Sequence, residues 1–390
     1  MNSKERMLSA ISGNTPDHIP CCFMIFYNLY DRCSGEVEFI RKQMEMDLDP
    51  FAHVGFLDHS LHPEASVKVW TEEVEGQRVF HRRVDTPAGP LMSRVVQQGG
   101  WPTEDNFPLM KDWIIPRSKE FLVKPERDLE KAKYLFGPPK SEDIQYLRET
   151  SDQVKSIAEK HGLLQIGGWK ANYAPGDQRD YGVMGCDAMS WLSGYVDVME
   201  LSLTNTEIVA EYARIIHEWT KQQIEVYLDV TDADLIIRRG WYETTEFWTP
   251  EAYRQIILPN LKAEAKLVHE AGKKFGYIVT SAFAPLVEYI LEADIDVLIG
   301  IDPEQGKGTE LEDIRKSFSK AGKALWGGVS GALTVELGTQ AETEAAVKTA
   351  IDTLGQDGGF VLSPVDNVRE DTKNAWDNTY AFIDAWKRHR

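Results

Sequence analysis

Asp296-Val297-Leu298-Ile299-Gly300-Ile301-Asp302 is an apolar run of strand length that begins and ends on an acid. Ala324-Leu325-Trp326-Gly327-Gly328-Val329-Ser330 repeats that character, with Phe275–Thr280 before the pair and Gly359–Ser363 after it. Between these runs lie Ala284–Ala293, Thr309–Ala321 and Ala341–Leu354, each with apolar residues at helical spacing. Buried strands alternating with helices predict a parallel sheet with crossover helices. In that architecture the loops after the strands converge on one face, and chemistry is expected there.

The pattern continues toward the N-terminus. Ala233–Arg239, Leu163–Gly168 and His18–Phe26 read as further strands. Residues 4–12, Glu142–His161 and Glu207–Leu228 read as helices, the second stopped by Gly162. Thr249-Pro250-Glu251 starts another, with an N-cap threonine, proline at the first helical position and an early acid. It runs to Ala271, and Gly272 fits its C-cap. Seven or eight strands in βα order predict an α/β fold of the (β/α)8 TIM-barrel type. An open doubly wound sheet is the second choice, and the lack of a Gly-rich dinucleotide fingerprint after any strand counts against it. Val67–Glu73, Gln77–Val84 and Pro90–Val96 read as short antiparallel strands. Residues 1–390 are thus expected to form one barrel domain, with 65–100 a β-rich insertion. Trp101–Pro139, punctuated by prolines, gives no clear element.

Composition bounds the function. Forty-three basic against 62 acidic residues give a net charge of -19, which disfavours nucleic acid and anionic membranes. Cys21, Cys22, Cys33 and Cys186 have neither disulfide-scaffold nor zinc-ribbon spacing. The longest apolar run, Cys21–Tyr27, is too short to span a bilayer, and Met1–Arg6 lacks the layout of a signal peptide. A soluble cytoplasmic protein is expected.

Candidate functional residues stand at the strand ends. Arg238 and Arg239 close one strand, and alternation sends one inward and the other outward. An inward arginine would meet a carboxylate or phosphate of a substrate, or a neighbouring acid of the chain. Trp241, Tyr242 and Glu243 follow, Glu243 being a carboxylate placed for proton transfer. Asp302 ends the next strand but one; it could transfer a proton or cap its own turn. Thr280 and Ser281 could orient a ligand or cap a helix, and Asp366 and Asn367 could grip polar groups or shape a turn. Trp169 and Tyr173 follow the strand at Leu163–Gly168, and Tyr27 follows the first strand. Trp169, Trp241 and Trp248 could wall a pocket. His53, His59 and His62 are spaced tightly enough to supply metal ligands, given a third ligand and an ordered second shell.

Several motifs in order resemble the uroporphyrinogen decarboxylase superfamily, which includes corrinoid-linked methyltransferases. Ser3–Ile11 with Gly13 and Pro16–Pro20 looks like the family's N-terminal segment. Asp85–Leu91 is similar to the Thr-Pro-x-Gly-x-Leu turn of the methyltransferase-like branch. Thr249-Pro250-Glu251 with Leu258-Pro259 resembles the family's central helix. Gly327-Gly328-Val329, Gly338-Thr339, Gly358-Gly359-Phe360 and Leu362-Ser363-Pro364 through Asn367 resemble its C-terminal signature. The resemblance spans almost the whole chain and implies a (β/α)8 barrel.

The departures bear on activity. Uroporphyrinogen decarboxylases carry an arginine-rich N-terminal motif that grips tetrapyrrole carboxylates, whereas Cys22–Asn28 holds no arginine. Thiol-directed methyltransferases of the superfamily hold zinc through a His-x-Cys pair and a distant Cys. The matching positions here are Tyr277-Ile278-Val279 and the region of Val365 and Asp366, with neither thiol nor imidazole. Many relatives have an acid where this chain has Arg238 and Arg239. The resemblance therefore implies a methyltransferase acting on a small methylated substrate, such as a methoxylated aromatic acid, with a corrinoid on a partner protein as acceptor. In that scheme Arg238 or Arg239 holds the substrate anion, the tryptophans pack its ring, and Glu243 or Asp302 handles the proton. A metal could instead polarise the leaving oxygen. The alternatives are a cofactor-independent decarboxylase of a small or tetrapyrrole carboxylate, and a barrel that binds a small molecule without catalysis.

Overall fold

The structure is a computed structural model that describes residues 1–169, 182–306, 310–366 and 368–390. Its strands are β1 (Phe51–His53), β2 (Ser66–Val74), β3 (Gln77–Thr86), β4 (Gly89–Val96), β5 (Ser118–Glu120) and β6 (Leu164–Gly168). The later ones are β7 (Val183–Met184), β8 (Leu235–Arg239), β9 (Lys274–Ile278), β10 (Val297–Ile301), β11 (Ala324–Ser330) and β12 (Phe360–Val365). One sheet runs β1-β6-β8-β9-β10-β11-β12, with β7 beside β8, and its pairs are parallel. Every residue of β6, β8, β10, β11 and β12 is buried. That two-sided burial explains why these strands read as continuous apolar runs.

The sheet curls until its two edges meet across Pro20–Cys22. Leu362 donates to the Pro20 carbonyl at 2.9 Å and Cys22 donates to the Leu362 carbonyl at 3.0 Å. On the other side Asp49, just before β1, donates to the Cys21 carbonyl at 2.8 Å. The chain thus has the expected α/β barrel-type fold. The strand expected over His18–Phe26 is reduced to a single bridge between Cys21 and Leu362. Its backbone donors are diverted: Pro20 has none, Cys21 donates to the Asp49 carboxylate at 3.2 Å, and Met24 donates to Ser363 Oγ at 3.2 Å.

Crossover helices cover the outside, among them Ser141–His161, Thr206–Val230, Leu258–Glu270, Leu311–Ala321, Gln340–Leu354 and Lys373–His389. Thr249 caps its helix by accepting from Ala252 N at 3.1 Å. Pro259 cannot donate to the carbonyl four residues back, and the chain widens into a π turn over Tyr253–Ile257 before Leu258–Glu270 continues. The expected insertion forms a four-stranded antiparallel sheet, β2-β3-β4-β5. β5 lies beyond residue 100 and is joined to the rest through the 3-10 turn Asp112–Arg117, which leads back to the barrel mouth.

Candidate functional site at the barrel mouth

Alternation along β8 separates the two arginines. Arg238 is opposite Tyr277 in the register and Arg239 opposite Ile278. Arg238 turns outward, toward the helix layer. Its Nη1 and Nη2 reach Glu243 Oε2 and Oε1 at 2.5 and 2.9 Å, and its Nε lies 2.5 Å from Oε2 of Glu264 on Leu258–Glu270. Glu243 also accepts from Tyr277 Oη at 2.6 Å and from Cys186 N at 2.6 Å. Glu264 pairs with His217 Nδ1 at 2.9 Å. Burial works against the Arg238 cation, but Glu243 and Glu264 more than offset it and hold its pKa above the ordinary value. The Tyr277 phenol is pushed up by burial and then by Glu243. Gly185 and Gly240 border this knot; a Cβ on Gly185 would lie 2.1 Å from Arg238 Nη2. Glu243, expected at the mouth, is fully buried in this network.

Arg239 turns inward. Its Nη2 is 3.1 Å from Asp112 Oδ1 and its Nε 3.4 Å from Asp187 Oδ2. Its guanidinium lies 4.4 Å from the Trp241 ring centre and 4.7 Å from that of Trp191. Asp187, fully buried, accepts from Trp241 N at 3.1 Å and Tyr242 N at 2.8 Å. Asp112 is half exposed and also accepts from Trp191 Nε1 at 2.9 Å and from Tyr242 Oη. Two carboxylates share one guanidinium here. Burial, reinforced by Glu243 and Asp112 and opposed by Arg239, pushes Asp187 up to about 6. Asp112 stays below the ordinary value because Arg239, Tyr242 and Trp191 outweigh its burial.

In front of this cluster, inside the carboxyl ends of the strands, lies a small cavity. Trp169, Trp241 and Trp326 wall it, with Met24, Ile25, Ile278, Thr280, Ile299 and Asp366. Trp169 and Trp241 meet edge to face, 5.1 Å apart at 70°. Trp326 is anchored by its Nε1 donating to the Cys22 carbonyl at 2.9 Å. Asp366, after β12, has φ of 63° and no hydrogen-bond partner among the described residues. Burial, with Asp302 and Glu336, raises its pKa against the pull of Arg369 and Arg239. On the rim the Arg369 guanidinium stacks 5.4 Å from the Tyr27 ring.

The remaining candidates fall elsewhere. Asp302 is fully buried and caps its own turn, accepting from Glu304 N at 2.8 Å, Gln305 N at 3.0 Å and Gln305 Nε2 at 2.9 Å. Trp248 is buried behind the site, donating to the Tyr242 carbonyl at 2.8 Å. Tyr173 and Asn367 lie outside the described residues. His53 packs on Phe56 and accepts from Gly55 N; His59 sits between Phe136 and Trp219 with Nε2 2.6 Å from the Leu135 carbonyl; His62 stands against Tyr134. Burial lowers the His59 pKa to about 4. Among the described residues no group of three His, Cys, Asp or Glu side chains could hold a metal ion. On β9 and just beyond it, Ile278 and Thr280 line the cavity, while Tyr277, matched from sequence to a zinc ligand, joins the Arg238 network.

Sequence reading missed Asp112, Asp187, Glu264, Trp191 and Trp326. Asp187 follows Cys186 at a helix start and Glu264 lies mid-helix, where an acid is ordinary.

Comparison with known proteins agrees with this architecture. The model of the family described as uroporphyrinogen decarboxylase (URO-D) matches residues 187–389, just over half of the chain. A methyltransferase from Methanosarcina mazei superposes with a TM-score of 0.60 at 15% identity, covering 100% of this chain and 99% of that one. A B12-independent methionine synthase from Shewanella sp. W3-18-1 gives a TM-score of 0.43 at 9% identity, over 95% of this chain and 97% of that one. At 15% identity the likeness to the methyltransferase is one of fold. No curated protein sequence matches the chain. The matched stretch holds β8 to β12 with Arg238 and Arg239, and by that match the chain belongs to the uroporphyrinogen decarboxylase (URO-D) family.

Proposed function

We propose that the protein is a methyltransferase that seats a small methylated substrate in the tryptophan-walled cavity and passes its methyl group to a corrinoid on a partner protein. The observation that carries this reading is the cavity: three indole walls and one carboxyl, Asp366, without a partner among the described residues. The cavity is small and largely apolar. Met24 and Ile25 form apolar wall in the segment where decarboxylases of tetrapyrroles are expected to carry arginines. Both features favour a small substrate.

A bound corrinoid would supply the low-valent cobalt that accepts the methyl group. The chain's own residues would orient the donor: the indoles exclude water and fix its methyl-bearing end, and Asp366 is the titratable group facing it. Arg239 holds Asp187 and Asp112 and thereby the Trp241 loop, so its role is one of positioning. Arg238 and Glu243 would brace the same loop from behind. The described donor set does not fit zinc.

Decarboxylation is the second reading, because an acid with a raised pKa can protonate a carbanion. Among the described lining residues it finds no cation to orient the carboxylate, and Arg239 is already shared by two acids. The test is transfer from methoxylated aromatic acids and methylated amines to cob(I)alamin, followed by absorbance on cobalt methylation. Transfer lost in Asp366→Asn supports the proposal. CO2 release without transfer replaces it with the lyase.

A further inference from the structure

The walls of the cavity carry a charge pattern that methyl transfer alone does not require. Indole faces are electron-rich and attract cations, and three indoles converge here. No lysine or arginine is among the described lining residues. The inward cation, Arg239, is packed against Trp241 and shared by Asp112 and Asp187. The rim cation, Arg369, stacks on Tyr27. Asp302 and Glu336 add negative field at Asp366. An aromatic box with a carboxyl at one side suits a soft cation and repels an anion.

We propose that the cavity takes a methylated onium group, a quaternary ammonium or tertiary sulfonium, with its methyls against Trp169, Trp241 and Trp326 and Asp366 as counter-ion. This names the substrate class for the methyltransferase reading and rests on it for the chemistry, but not for the binding. Such a donor also suits a site whose described lining residues include no acid besides Asp366. As the carbon–nitrogen or carbon–sulfur bond breaks, its electron pair stays on the heteroatom and a neutral amine or sulfide departs, so no proton is needed. The electron pair of the new bond comes from the acceptor.

Binding the cation requires ionised Asp366, against the pull of Asp302 and Glu336 and with the help of Arg369 and Arg239. Affinity therefore rises with pH as Asp366 ionises.

The experiment is calorimetric titration of the full chain with choline, its uncharged isostere 3,3-dimethyl-1-butanol, and 4-methoxybenzoate. Choline is expected to bind about tenfold or more tighter than the isostere. Asp366→Asn should cut choline binding about tenfold and leave the isostere unchanged, and Trp169→Leu should weaken choline more than Trp169→Phe. Circular dichroism checks that each variant is folded. Equal binding of choline and isostere, tighter binding of 4-methoxybenzoate, or no binding of choline overturns the proposal. Selective choline binding without methyl transfer leaves the onium site standing and removes the methyltransferase reading. Methoxybenzoate turnover without onium selectivity does the reverse.

Discussion

Arg238 and Arg239 are neighbours in sequence, equally buried, and opposite in consequence. The first faces the helix layer, where Glu243, Glu264, Tyr277 and His217 enclose it. The second faces the barrel interior, where one of its two acids, Asp112, is half exposed and comes from the arm that follows the insertion. A buried ion pair on the helix side can only hold the barrel together. The same pair on the mouth side fixes the wall of a cavity. One residue of register thus divides a brace from a site.

The largest effect should come from the sealed side. Arg238→Met leaves two buried carboxylates without their cation, and breaking such a pair costs about 3–5 kcal/mol. Denaturant unfolding should show that loss, with a smaller one for Arg239→Met because Asp112 can turn to water. Adding Glu243→Gln and Glu264→Gln to Arg238→Met should recover much of the stability. If Arg239→Met is the more damaging of the two, the division between brace and site is wrong.

The mouth should respond in activity instead. Asp366→Asn keeps a side chain that tolerates left-handed backbone and removes the charge and the proton. Stability should stay within about 1 kcal/mol while kcat/KM for the methyl donor falls about 100-fold or more. Loss of stability without loss of turnover would move Asp366 to the bracing class.

Asp187 sharpens the comparison through pH. Its pKa is raised to about 6 in the folded chain, against about 3.9 unfolded. The folded state therefore holds a proton that the unfolded chain has released, and this group's contribution to stability falls as pH rises from about 4 to 6, by roughly 2–3 kcal/mol. Other carboxylates titrate in the opposite sense, so the measurement is the difference between wild type and Asp187→Asn across that window. A flat difference would mean that Arg239 keeps Asp187 ionised throughout.

The barrel was legible because its strands are buried on both faces and announce themselves as apolar runs. β11 agrees with its expected bounds, Ala324–Ser330, and β9, β10 and β12 agree to within two residues. Caps were legible for the same local reason, as at Thr249 and Gly162. Short strands were not: β1 has three residues and β7 two, and neither shows a period. The two arginines and the tryptophans after β6 and β8 could be read as candidates, but their partners could not. Asp112 reaches Arg239 from 127 residues away, through a proline-rich arm without pattern. That Glu243 braces and Asp366 faces the cavity is a matter of which side of a turn each occupies.

The smallest predicted effect tests Asp366 most directly. Arg369 is exposed on the rim, and its positive charge is the main influence holding the Asp366 pKa down against burial, Asp302 and Glu336. Arg369→Gln should therefore raise that pKa further without disturbing the Arg238 network, which lies on another face of β8. If ionised Asp366 is the working form, the arm of the pH–rate profile that rises toward neutrality should move to higher pH by a fraction of a unit, and added salt should shrink the shift because the pair is solvent-facing. If protonated Asp366 is the working form, the falling arm moves instead, in the same direction. The arm that moves therefore distinguishes a counter-ion for a cationic donor from an acid for a leaving oxygen, and an unmoved profile would take Asp366 out of the rate-determining chemistry.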